Sequence, residues 1–177
     1  MTKNFNTKRL CTEAVLAALY VVFDMLATNL SAFFGGSIKI SLSGLAVIIC
    51  AILYGPVSGM LVGLVGAFAG QMLTYGFSAT TLLWILPAGV RGLLAGVLFI
   101  AFGRSLKFRH IVIQTVISSF VITILNTVIN YIDSLIYHYP YAVFAALSLT
   151  RFAISAVTAV VYSLILIPVI KALKKHI

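Results

Sequence analysis

The lysines and arginines of this chain gather between long apolar runs rather than along them, and that placement constrains the fold more than any single motif does. Nine of the twelve form three clusters: Lys3, Lys8 and Arg9 at the start, Arg104, Lys107 and Arg109 in the middle, and Lys171, Lys174 and Lys175 at the end. With 62% hydrophobic and 8% charged residues, the chain lacks the charges a soluble surface needs, about a quarter of all residues. Its solvent is therefore mostly lipid. Inside lipid every backbone N–H and C=O must be paired within the chain, which leaves helices or a closed barrel. The runs do not alternate in polarity as barrel strands must, and most approach the ~20 residues that carry a helix across the hydrocarbon.

Six spans are read, over residues 10–30, 42–53, 57–75, 82–102, 111–132 and 147–170, with Gly55-Pro56 as the turn between the second and third. An even number of crossings returns the C-terminus to the side of the N-terminus, and it puts all three basic clusters on that side. Positive-inside bias makes that side the cytoplasm. The expectation is an all-α integral membrane protein, a compact six-transmembrane-helix bundle forming a single domain over residues 1–177, with both termini cytoplasmic. The connections 29–41, 76–81 and 133–146 would then face outward. The net charge of +9 is not read as a nucleic-acid footprint, because the charges cap helix ends instead of forming a basic face. Cys11 and Cys50 have no metal-ligand or CxxC spacing and read as small buried hydrophobes; no metal and no cofactor is expected.

Small residues recur four apart at Ala14/Ala18, Gly59/Gly63, Gly66/Gly70 and Gly92/Gly96. This spacing puts both members on one helix face, where another backbone can come close. The glycine pairs read as packing inside the bundle. Ala14 and Ala18 lie in the first turns of the first span, within reach of an outside partner.

Ionisable groups at bilayer depth cost about 2.5–3.5 kcal/mol on insertion scales, so each needs a reason. Arg91 lies inside the fourth span, two helical turns after Trp84, and Arg151 begins a stripe on the sixth that includes Ser148, Ser155 and Thr158. The fifth span carries Thr123, Asn126, Asn130 and Asp133 and the third Gln71 and Tyr75, so four helices direct polar stripes that begin at their outer ends and fade toward the cytoplasmic side. One reading is an internal hydrogen-bond network, with Asp24 paired to Arg91 or Lys39. The other is a positively charged outer pocket whose Arg and Asn side chains meet carboxylate or heterocycle edges while Trp84, Tyr75 and Tyr131 stack on a planar ring. As a set the residues favour the pocket, built from Lys39, Gln71, Tyr75, Trp84, Arg91, Asn126, Asn130, Asp133 and Arg151. Neither HExxH nor GxSxG occurs, and there is no close carboxylate pair, so the chain is not read as an enzyme. No GxxxxGK[ST] occurs either, so active transport would draw its energy from a partner or an ion gradient.

These features resemble the substrate-binding S component of an energy-coupling factor (ECF) vitamin transporter. Nearly the whole chain takes part: six helices in under two hundred residues, a basic start, Ala14-xxx-Ala18, and Ile52-Leu53-Tyr54-Gly55-Pro56-Val57-Ser58-Gly59, which is similar to the LFGP-x-x-G stretch of such proteins. The resemblance implies a high-affinity binding subunit in a bacterial plasma membrane, served by a membrane T subunit and two cytoplasmic ATPase subunits. It implies that Ala14 and Ala18 pack on the T subunit, that the vitamin sits near the outer surface, and that the subunit topples in the membrane to deliver it. The stretch Gly36-Ser37-Ile38-Lys39-Ile40-Ser41 through Gly55-Pro56 looks most like folate-type components. Riboflavin, a thiamine precursor, pantothenate, pyridoxine and a queuosine precursor are the alternatives, and a small integral-membrane enzyme or a ligand-free scaffold are the rivals from other classes.

Overall fold

The structure is a computed structural model that describes residues 7–33, 41–138 and 141–174. Six helices account for most of them: α1 (Thr7–Phe33), α2 (Ser43–Tyr54), α3 (Pro56–Tyr75), α4 (Thr81–Ala101), α5 (Phe108–Tyr137) and α6 (Tyr141–Lys174). The described residues contain no strand. All but α2 include a segment long and apolar enough to cross a membrane. The twelve residues of α2 rise only about 18 Å, short of the ~30 Å hydrocarbon core.

Local chemistry sets the helix borders. Gly55, at φ 101°, separates α2 from α3 in a conformation that is strained for a residue with a Cβ. Pro56 opens α3, where its missing N–H has no intrahelical partner to lose. After α4, Gly103 and Arg104 turn left-handed and the Arg104 N–H returns to the Phe99 carbonyl. The long connection expected over residues 133–146 is a correction: α5 continues to Tyr137, left-handed His138 closes it by donating to the Ser134 carbonyl, and α6 begins at Tyr141. Hydropathy marks where the hydrocarbon ends, whereas the helical hydrogen-bond ladder runs on past it. Asp133, read as the first loop residue, is therefore helical and buried.

The short helix lies at the centre. Ser43 to Ile52 are all buried, and α2 touches α1, α3, α4 and α6, while α5 packs on α4 and α6. Contacts between helix ends give the chain direction. Arg9 donates to Ser58 and lies 5.6 Å from the centre of the Tyr54 ring, so α1 begins beside the α2–α3 turn. Phe102 stacks on His110 at 5.3 Å, and Ile170 joins Ile52, Phe99 and Ile111 in one apolar cluster. One end of the molecule thus gathers the start of α1, both of these turns and the end of α6, and Lys8, Arg9, Arg104, Lys107 and Arg109 belong to it. Lys3, Lys175 and His176 lie outside the described residues.

The glycine pairs pack the interior. A Cβ on Gly63 would overlap the Ala88 carbonyl, and one on Gly92 would overlap the backbone of Gly59, so α3 and α4 meet as closely as glycine permits. Large apolar side chains such as Val15, Leu26, Val65, Leu82, Phe120 and Val160 point outward. Cys50 is buried as expected, but Cys11 is exposed on α1.

Candidate functional site

At the end away from the basic clusters, a cavity of about 700 Å³ opens among α1, α3, α4, α5 and α6 above the first residues of α2. Seven of the residues singled out in the sequence line it: Gln71, Tyr75, Trp84, Arg91, Asn126, Asp133 and Arg151. Asn130 does not contribute to the lining; it is buried at 5% exposure, although it shares a helix face with Asn126 and Asp133. Tyr131, proposed for stacking, is exposed and outside the lining, whereas Tyr20 and Tyr137 line the cavity. Lys39, with the rest of residues 34–40, lies outside the described residues.

The upper wall is a junction of three helices. Arg151 on α6 donates to the Asn126 carbonyl on α5 at 2.9 Å, and its guanidinium sits 5.5 Å from the centre of the Trp84 ring on α4. The Trp84 indole N–H reaches Asp133 at 3.4 Å. A cation over an indole face gains from the ring quadrupole, and that gain grows where water is excluded. Trp84, the chain's single tryptophan, is held by its edge and its face at once.

The floor is built where α2 starts. Arg91 reaches down from α4 and donates to the Tyr162 hydroxyl at 3.3 Å, with its guanidinium 5.8 Å from that ring's centre. Ser41 donates to Ser43 or accepts from it at 2.7 Å and reaches Asp24 at 3.5 Å. Gly44 faces Arg91 directly: a Cβ there would occupy the guanidinium's place.

Two corrections concern charge and polarity. Among the described lining residues the two arginines face two aspartates, Asp24 and Asp133, so this lining is cationic at two points and balanced in charge. On α5 the polar stripe does not fade toward the basic end, because Gln114, Thr115, Ser118 and Ser119 are all buried. Gln114 donates across to the Ala95 carbonyl at 3.0 Å and so ties α5 to α4. Several hydroxyls spend their proton inside their own helix: Thr28 on the Asp24 carbonyl, Thr123 on Ser119 and Thr158 on Ile154, each at 2.8–2.9 Å. They offer acceptors to the cavity, while the guanidinia and the amides of Gln71 and Asn126 offer it donors.

The sequence reading missed Tyr20, Ser43, Gly44 and Tyr162. Tyr20, Asp24 and Thr28 sit four apart, and that spacing was a signal available on α1. Tyr162 gave none, lying in an apolar run with Leu166 and Ile170.

The match to known families covers nearly the whole chain: the family described as ECF transporter, substrate-specific component, matches residues 8–170. This protein belongs to that family. It is also similar to two UPF0397 proteins, one from Vibrio atlanticus (strain LGP32) and one from Aliivibrio salmonicida (strain LFI1238). Each is 26% identical to it over 178 residues, covering 97% of this chain and 96% and 95% of the respective relative. As an ECF substrate-specific component the chain is a membrane-embedded transport subunit, not an enzyme, and its family implies T-subunit and ATPase partners. Its outward apolar side chains are then lipid-facing or partner-facing. Ala14 and Ala18 both lie on the exposed face of α1, together with Cys11, Val15 and Val22. Tyr20, Asp24, Thr28 and Ser31 turn from the same helix into the cavity.

Proposed function

We propose that this ECF substrate-specific component captures an elongated, ring-bearing carboxylate in the cavity, with folate as the vitamin. The observation that carries the reading is a 700 Å³ chamber lined by two arginines on different helices and by aromatic side chains. Ligand pockets commonly enclose about 300–1,000 Å³. Trp84 marks the level of Arg151, and Arg91 follows it by seven residues, about 10 Å along α4. Tyr162 marks the level of Arg91, and it follows Arg151 by eleven residues, about 16 Å along α6. Two rulers on separate helices thus put ten to sixteen ångströms, roughly, between the two cationic points. A planar heterocycle joined by a spacer to a carboxylate spans such a distance, and Trp84, Tyr75 and Tyr20 offer faces on which its rings stack.

The basic end lies in the cytoplasm by positive-inside bias, and the six helices cross the membrane in alternation, α2 as a short buried crossing. Both termini are then cytoplasmic and the cavity opens outward. Ala14 and Ala18 dock on the T subunit, and the subunit topples to carry the loaded cavity inward while the ATPases supply the energy. Isothermal titration of the purified subunit with folic acid tests the binding. The expected result is saturable one-to-one binding, weakened by Arg91→Gln and by Arg151→Gln. Binding of riboflavin, pantothenate or pyridoxine in place of folic acid would replace the vitamin and keep the cavity's role; folic acid binding untouched by both substitutions would remove the cavity from it.

A further inference from the structure

We infer that Tyr162 and Gly44 are positioning residues that seat Arg91 at the cavity floor, so that its unused N–H donors form the seat for a ligand carboxylate. The inference rests on the binding role proposed above for the cavity, and it adds two residues, one buried beneath the floor and the other without a side chain.

Tyr162 is 1% exposed, and its hydroxyl is bonded twice, donating to the Ser41 carbonyl at 2.7 Å and accepting from Arg91 at 3.3 Å. A hydroxyl has one proton. Because that proton is committed to Ser41, the oxygen can only accept toward the cavity, and a guanidinium is the group above it that donates. The ring beneath adds its face to the hold, with the guanidinium carbon 5.8 Å from its centre. Gly44 completes the seat from the other side. A Cβ there would overlap the guanidinium and come within 2.7 Å of the Tyr162 hydroxyl, so the first turn of α2 must lack a side chain for Arg91 to reach Tyr162.

The consequence is geometric. A guanidinium carries five N–H donors in a planar fork, and Tyr162 takes one of them. Held by its Tyr162 edge, Arg91 keeps the rest of the fork at the surface of the cavity it lines. Such a fork suits the two oxygens of a carboxylate, and a lysine in its place would not. The seat also joins three helices with the segment that leads into α2: Arg91 from α4, Tyr162 from α6, Gly44 from α2 and the Ser41 carbonyl. Loss of the Tyr162 hydroxyl frees the guanidinium to swing without removing its charge. Tyr162 and Gly44 therefore act through Arg91, and their effects vanish when Arg91 is gone.

The test is a double-mutant cycle read by isothermal titration on the full chain in detergent. Five probes are used: folic acid, pantothenate and biotin, which carry a carboxylate, and riboflavin and thiamine, which do not. Tyr162→Phe and Gly44→Ala are each made alone and with Arg91→Gln, and folding is checked by monodisperse elution and thermal stability. Either variant alone suffices should the other fail to fold. The expected result is that a carboxylate probe binds, that each variant weakens it about tenfold or more, and that neither weakens it further than about twofold once Arg91 is Gln. Unchanged affinity in both variants, or equal losses with and without Arg91, would overturn the positioning role. Binding of riboflavin or thiamine with no carboxylate probe bound would overturn the carboxylate seat and leave the cavity a binding site. Binding of none of the five would overturn both.

Discussion

Ala14 and Ala18 on α1 share their four-residue spacing with the glycine pairs of α3 and α4, yet the two sets end in opposite surroundings. The glycines face inward: across the α3–α4 seam Gly63 lies against the Ala88 carbonyl and Gly92 against Gly59, and Gly66 lies against Tyr20 of α1. The alanines face outward, among exposed Cys11, Val15 and Val22. In lipid, where tails are as apolar as leucine, close backbone approach is a main source of helix association. A smooth strip used inside the bundle is therefore already satisfied. The same strip left outside is available to a partner, and the family to which this chain belongs has one in its T subunit. The difference teaches that small-residue spacing names a surface fit for another helix and says nothing of whose helix it is.

Substitutions along the two strips sharpen that contrast. The largest effect is expected at Gly92→Ala, where the added methyl meets backbone that cannot rotate away; the loss is about 3 kcal/mol, seen as a fall in Tm and aggregation on size-exclusion chromatography. Gly66→Ala comes next. Its methyl would meet Cγ, Cβ and Cδ1 of Tyr20 at 2.8–3.0 Å, and because these atoms form the stem of that side chain α1 itself must give, so stability falls by about 2 kcal/mol while ligand affinity falls too, because Tyr20 lines the cavity. Ala14→Trp with Ala18→Trp should leave Tm and ligand binding as in the parent and abolish co-purification with the T subunit. Loss of folding in that pair would mean that the ridge packs within the chain and would erase the comparison. The smallest effect belongs to Gly70→Ala, whose methyl meets only Asp24 at an ordinary 3.7 Å; the gain in helix propensity makes it neutral or up to about 1 kcal/mol stabilising by thermal unfolding.

A similar contrast separates the two ends of the bundle. Near the basic end α2, α4, α5 and α6 close on one apolar cluster that includes Ile48, Ile52, Phe99, Ile111, Leu166 and Ile170. Toward the other end the same helices part around polar side chains. Seven of the eight expected cavity residues that the structure describes line the cavity, and they were legible because a polar or amphipathic side chain stands out against apolar neighbours, whatever its rotation. Asn126 and Asn130 show the limit. They look equivalent in sequence, but one lines the cavity and the other is buried beside it, since packing against the neighbouring helices decides which side chain emerges.

What the chain's letters alone determined is its solvent, its helices and the end that carries positive charge, because hydropathy and charge are sums over local windows that need no partner. Tertiary structure alone decided that the shortest helix is the centre, that Gly44 must lack a side chain, and that Tyr162, hidden in an apolar run, holds Arg91. Those facts depend on helix rotation and approach between residues up to 121 positions apart. No local window contains both partners of such a contact, so only the packed molecule reveals it.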